Sequence, residues 1–338
     1  MTSHALRALF AERLRLPLIA APMFRVSGPE LVIAACRAGV IGAFPTANCR
    51  SVDAFDQWLT RIGAALGPQH APYCPNLIMR RENLREELAC LLRHKVELVI
   101  TSVGAPDPVV APLHDIGCRV LADVASVRHA EKAIAAGVDG LVLLTAGAGG
   151  QTGWANGLAF VRAVRQFYDG PLVLAGGVSD GAALLAARVA GCDLGYMGTK
   201  FIATDESMAA QGYKQMLVDS RLDDVLLSRA FTGLETNTLI PSIRAAGLDP
   251  KALPTDMTAE RADALYGSGG DGSIRRWRDI WSAGHSVSGV TSRGSVAALV
   301  EQTSAQYLDA AREAMAWMPA ALAPSPARAG RGSKTSPP

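Results

Sequence analysis

The chain has 338 residues, more than the ~100–200 of an ordinary domain, so it holds one large domain or two smaller ones and can bury a core without disulfide or metal staples. Its 33 Lys+Arg against 31 Asp+Glu leave a formal charge of +2, which excludes polyanion binding by bulk charge, and no basic stripe interleaved with aromatics supports a nucleic-acid partner. Apolar residues make up 49% and mean hydropathy is +0.18, yet no run supplies the ~20 apolar residues of a membrane span, so the richness points to strands buried on both faces.

Residues 1–17 read as a weak amphipathic helix without a signal-peptide core or cleavage site, which predicts a cytoplasmic chain. Strands are then predicted at 17–21, 40–43, 73–79, 98–102, 119–122, 140–145, 171–175 and 194–197. Helices are predicted between them at 29–38, 52–66, 81–93, 108–116, 127–136, 158–167 and 180–190. Several helices stop at a glycine that opens the next turn: Gly39, Gly117, Gly137, Gly170 and Gly191. This strict alternation predicts an α/β fold, a (β/α)8 TIM barrel. A doubly wound sheet is the rival, but it seldom needs eight short units in succession.

After strand eight the pattern changes. Residues 204–276 hold helical pieces at 207–218 and 221–227, a polar stretch poor in apolar residues, and a loop at 267–273. They are predicted to be an insertion covering the C-terminal face of the barrel, where sites in this fold lie. The chain resumes at 280–281, and 296–317 would be the eighth barrel helix. The barrel domain is thus 10–203 with 277–320, the cover is 204–276, and 321–338 reads as a disordered tail. The cysteines at 36, 49, 74, 90, 118 and 192 have no paired metal-type spacing and read as small buried thiols. No zinc spacing, Ser-His-Asp order or P-loop is present, so no metal is expected.

Two glycine motifs fall where a barrel binds phosphate. Strand seven ends in Ala175-Gly176-Gly177, and strand eight ends in Met197-Gly198-Thr199-Lys200. Glycines there let backbone N–H groups approach an anion; the alternative is that they only make tight turns. A third cluster, Gly147 to Gly153, forms a loop with little side-chain bulk that suits a planar ligand, with Trp154 as a possible wall. It does not match a G-x-G-x-x-G fingerprint.

Together with Ala21-Pro22-Met23 after strand one, Ser27-Gly28-Pro29-Glu30-Leu31 opening helix one, Asn76 in strand three, Ser126–Ala130 and Trp281-Ser282-Ala283-Gly284, these motifs resemble the nitronate monooxygenase family. The resemblance spans residues 10–317 and implies an FMN-dependent TIM barrel. It implies that Ala21, Pro22, Met23 and Asn76 flank the flavin ring, that Gly149 and Gly150 touch the cofactor, and that Gly176, Gly177, Gly198 and Thr199 hold the phosphate. The chain departs from the family at two places. Where members with nitronate chemistry carry a His after the strand-six Gly-Gly, this chain has Gln151, which can donate a hydrogen bond but cannot take a proton near neutral pH. Where relatives often place a Lys at the end of strand five, this chain has Asp123. Asp123 is both a cofactor neighbour and a catalytic candidate; the plainer reading is a helix cap or an ion-paired carboxylate. His285 could replace the missing base, although a lone His in a polar turn is more often a surface residue. His129 is a weaker candidate in the first turn of a helix, and His4, His70, His94 and His114 read as solvated. Lys200 and Arg276 are candidate cations for phosphate or substrate, or plain surface charges.

The expected function is FMN-dependent oxidation of alkyl nitronates or similar small anions with O2. One alternative reverses the electron flow, with NAD(P)H reducing the flavin and a quinone or enoyl thioester accepting. Another is a low-turnover flavin-binding sensor. Oligomeric state is not read from the sequence.

Overall fold

The computed structural model describes residues 12–267 and 274–317. The predicted tail at 321–338 and residues 268–273 of the predicted loop lie outside the described residues, as do residues 1–11 of the helix predicted at 1–17, whose remaining residues 12–17 form turns and bends rather than helix. Eight strands close into a parallel barrel: β1 (Leu18–Ala20), β2 (Ile41–Pro45), β3 (Tyr73–Ile78), β4 (Leu98–Ser102), β5 (Arg119–Val124), β6 (Gly140–Leu144), β7 (Leu172–Ala175) and β8 (Leu194–Met197). Closure is made by β1 on β8, with Leu18 opposite Gly195 and Ala20 opposite Met197. The architecture is the TIM barrel that the alternation predicts.

Strand side chains alternate between two apolar environments, which is why the strands read as continuous hydrophobic runs. Ile19, Ile41, Cys74, Leu98, Leu121, Val142 and Val173 pack inside the barrel. Their neighbours, such as Leu18, Leu77, Val99 and Val120, face the helices. Five barrel helices begin at the side-chain cap the sequence supplies: Ser51, Ser126, Asn156, Asp180 and Ser295 each accept a bond from the backbone N–H three residues on. The last helix, Val296–Ala316, lies so close on Gly181–Ala190 that a Cβ on Gly181 would sit 2.0 Å from the Tyr307 nitrogen. All the cysteines are buried and unpaired. Among the described residues no helix is long and apolar enough to cross a membrane.

Beyond β8 the structure corrects several expectations. The helix predicted at 221–227 is one 3-10 turn, Leu222–Asp224, followed by a strand, Val225–Ser228. The Asp224 carboxylate accepts from the Arg221 N–H and ends the turn, and the apolar residues behind it pair antiparallel with Thr236–Leu239. That second strand falls in the stretch read as polar, yet it is buried throughout. Its hydroxyls are met internally, Thr236 Oγ1 lying 2.8 Å from Thr232 Oγ1 and Thr238 Oγ1 donating to the Leu226 carbonyl, while the buried Asn237 Oδ1 has no partner among the described residues. The strand also pairs with the two-residue strand Gly150–Gln151, so the glycine loop after β6 is part of a three-stranded sheet.

The helix predicted from 207 starts only at Gln211. Ser207 is held out of it by its hydroxyl, which donates to the Ile202 carbonyl at 2.7 Å. The helix predicted from 81 starts at Leu84, after a turn in which Arg81 pairs with buried Glu87. Histidines read as solvated are partly engaged. His94 meets Asp56 at 3.0 Å, His114 meets Asp139 at 2.8 Å, and His70 Nδ1 accepts from the Gly67 N–H.

Candidate active site

The C-terminal ends of the barrel strands build the site. Inside the barrel, strand alternation stacks side chains in layers drawn from alternate strands. Above the layer holding Ile19, Cys74, Leu121 and Val173, the same strands present Ala21, Asn76, Asp123 and Ala175. Two of these are alanines, and two are polar groups with unmet hydrogen-bonding capacity.

Asn76 is 5% exposed; its Oδ1 accepts from Ser102 Oγ at 3.1 Å, while its buried Nδ2 has no partner among the described residues. Asp123 is half-buried within β5, and its sealed Oδ1 likewise has none. It neither caps a helix nor joins an ion pair, because Ser126 caps the following helix. Burial alone pushes its carboxyl up to about 7. Cys74 and Tyr196 are near enough to feel its charge, and burial holds both well above their usual ranges, so both are neutral at physiological pH. Unmet buried polar groups cost about 1–3 kcal/mol each and are few in a native protein; Arg119 Nε, Asn237 Oδ1 and Ser282 Oγ are the others among the described residues, and Asn76 and Asp123 share one interior layer. Neither Tyr196 nor Cys74 was singled out from the sequence.

At the ends of β7 and β8 the backbone forms a cradle. Gly176 (φ +116°) and Gly177 (φ +78°) adopt left-handed conformations. A Cβ on Gly176 would lie 2.4 Å from Thr145 Oγ1, whereas one on Gly177 would meet nothing within 4 Å. Gly198 faces β1, where an added Cβ would sit 3.4 Å from Met23 Sδ and 3.6 Å from Ala21 Cβ. The β1 loop is held by Asn48, which donates to the carbonyls of Met23 and Ser27, and by Ser27 Oγ, which accepts from the Met23 N–H. Buried Thr199 accepts from the Gly284 N–H at 3.0 Å. Lys200 is 8% exposed, so it is not a surface charge; burial lowers its pKa and Asp180 nearby works against that shift. Arg276 pairs with Asp263 at 2.6 Å.

The loop after β6 owes part of its glycine content to backbone packing rather than to a ligand. A Cβ on Gly149 would lie 2.7 Å from the Gly284 nitrogen, and one on Gly153 would lie 2.0 Å from the Leu144 carbonyl oxygen. His285 donates its backbone N–H to the Gly147 carbonyl, and its exposed side chain lies beside Gly147 and the Gly177 end of the cradle. Gln151 is exposed on its short strand opposite Thr236, and a Cβ on the preceding Gly150 would lie 3.8 Å from the Trp277 ring. The contacts therefore link Ala21, Met23, Gly198, Thr199, Gly176, Gly177 and His285, and Gln151 lies on the short strand that continues the same glycine loop. Trp154 is 79% exposed and forms no wall.

Asn237 escaped the sequence reading. Its Nδ2 donates to the carbonyls of Ala146 (2.9 Å) and Ala148 (2.7 Å), pinning the β6 loop to the hairpin. The signal was an Asn inside a four-residue strand of otherwise strand-forming residues. Asn237→Leu keeps the volume and strips both carbonyls of their donor. It is expected to cost about 2 kcal/mol in urea unfolding and to speed amide exchange over residues 147–151; unchanged exchange there would contradict the pinning.

A sequence model described as nitronate monooxygenase matches residues 70–305. A nitronate monooxygenase of Paraburkholderia phytofirmans is 28% identical, over 70% of this chain and 76% of that protein. The (3aS,4S,5R,7aS)-5-hydroxy-7a-methyl-1-oxo-octahydro-1H-indene-4-carboxyl-CoA dehydrogenase of Rhodococcus jostii is 26% identical, over 66% of this chain and 62% of its own length. Among solved structures, nitroalkane oxidase from Streptomyces ansochromogenes superposes with a TM-score of 0.75 at 26% identity, covering 92% of this chain and 99% of that one. FabK from Thermotoga maritima reaches 0.78 at 21% identity, covering 94% and 99%, which is a likeness of fold.

Proposed function

Because the chain belongs to the nitronate monooxygenase family and is an oxidoreductase, we propose that it binds FMN at the barrel mouth and oxidises alkyl nitronates or similar small anions with O2. The observation that carries the reading is the pairing of an open glycine cradle with unmet polar groups beside it. Gly177 faces open space in which a phosphate fits, Gly198 leaves the backbone beside Met23 and Ala21 free of side-chain bulk, and the Asn76 amide and Asp123 carboxyl have bonding capacity to offer a polar planar partner. On this reading Gly176, Gly177, Gly198 and Thr199 hold the phosphate. Ala21, Pro22, Met23 and Asn76 flank the ring, with Asp123, Gly149 and Gly150 completing the contacts. FMN, when bound, supplies the two-electron oxidation and the return of electrons to O2.

The chain's own residues bind and orient. On this reading the described part of 204–276 is the cover over the mouth of the barrel, which the described parts of 10–203 and 277–320 make up. Gln151 donates its carboxamide N–H to a substrate oxygen; it accepts no proton. Substrates that arrive ionised are thereby favoured over neutral nitroalkanes, which must first lose a proton. His285, beside the cradle, serves phosphate or substrate as a hydrogen-bond donor.

Anaerobic mixing tests the reading. Propionate-3-nitronate is expected to bleach the bound flavin rapidly, and NADPH to leave it oxidised. Bleaching by NADPH alone would make the protein a nicotinamide-dependent quinone or enoyl reductase. Inertness to both would leave a flavin-binding protein of little turnover.

A further inference from the structure

Asp123 is the one carboxylate in the top interior layer of the barrel, and nothing described offsets its charge. Cys74 from β3 and Tyr196 from β8 lie near enough to feel its charge, Val142 is its register partner on β6, and Asn76 and Ala175 share its layer. None of them is a cation, and Cys74 and Tyr196 stay protonated. One oxygen is already sealed from water without a bond. A ligand bearing a phosphate and seated over this layer would displace the remaining water and add negative charge. Both changes oppose the carboxylate form and favour the neutral acid, which can also donate a hydrogen bond.

We propose that Asp123 accompanies the flavin as a neutral carboxylic acid, so that cofactor binding is coupled to the uptake of one proton whenever the empty site is ionised. The inference rests on the flavin reading above and adds to it a pH control set by this chain's own departure at β5. No bond to the flavin is formed or broken; the proton passes from solvent to the Asp123 carboxylate as the ligand enters.

The test is the FMN dissociation constant, measured by fluorescence quenching between pH 7 and 9 for wild type and for Asp123→Asn. The carboxyl lies at about 7 in the unliganded protein, so wild-type affinity is expected to weaken by up to ~10-fold per pH unit and ~50-fold across the range. The Asn variant carries a neutral isostere and should hold its affinity within ~3-fold. The cofactor phosphate titrates identically in both, so the difference isolates Asp123.

A second measurement needs no flavin. The folded carboxyl is raised above its unfolded value of ~3.9. The folded state therefore binds more protons between pH ~4 and about 7, and stability falls as pH rises through that window. Asp123→Asn apoprotein should melt several degrees above wild type at pH 8, with the gap narrowing toward pH 4. Parallel pH profiles of FMN affinity would overturn the proposal while leaving the flavin reading intact. A melting gap independent of pH would overturn the buried proton on which it depends. Failure of both proteins to bind FMN at any pH would remove the flavin reading itself, and this inference with it.

Discussion

Gly198→Asp is expected to purify folded and without flavin. Gly198 has φ −108°, a conformation open to any L residue, and an added Cβ meets only ordinary contacts with Met23 and Ala21. The variant therefore changes charge in the cradle more than shape. Two unit charges about 4 Å apart at an effective dielectric of about 20 repel by ~4 kcal/mol, so FMN affinity should fall at least ~100-fold. Gly198→Ala is the control and should keep its flavin. Wild-type flavin content in the Asp variant would move the phosphate elsewhere. Gly176 is unsuited to this test, because a Cβ there would lie 2.4 Å from Thr145 Oγ1 and strain the loop whatever its charge.

Lys214→Met should produce the largest loss of stability among surface-neutral changes to the segment after β8. Lys214 is 1% exposed, and its ammonium donates to the carbonyls of Thr204 (2.7 Å), Asp205 (3.3 Å) and Ser207 (3.0 Å). These carbonyls belong to the turn between the barrel and the helix Gln211–Asp219. That helix is also anchored by the stack of Tyr213 on Trp281, with ring centroids 5.0 Å apart. Methionine fills the space but leaves the carbonyls without a donor. The removed cost of burying an ammonium offsets part of that, and a net loss of about 3 kcal/mol is expected. Urea unfolding checks it, and amide exchange should rise first over residues 204–219. An unchanged unfolding midpoint would show that the lysine bonds contribute nothing net.

The barrel was legible because its grammar is local. Each strand is a short apolar run, most of them followed by glycine or a small residue, and several helices carry their own side-chain cap, as at Ser51 and Asp180. The cradle was legible for the same reason, since Gly176, Gly177 and Gly198 stand at strand ends. What failed was non-local. Thr236–Leu239 reads as polar surface, yet the Asn237 amide bonds to Ala146 and Ala148, far along the chain, and Thr238 Oγ1 reaches Leu226 across the hairpin. The strand Val225–Ser228 reads as the end of a helix until its pairing partner is known. Glycines 149 and 153 look like room for a ligand, but a close backbone in each case already requires them. Asp123 shows the limit most plainly. Sequence places an acid at the end of β5; only the folded barrel reveals that no cap, arginine or lysine attends it.

The most direct test of the central claim is to titrate the apoprotein with FMN and, separately, with riboflavin, which shares the ring and lacks the phosphate. The account expects one FMN per chain, a yellow protein with the bands of oxidised flavin, and riboflavin bound at least ~100-fold more weakly, because the cradle at Gly176, Gly177, Gly198 and Thr199 then has nothing to hold. Equal affinity for the two, or binding of neither, would contradict it.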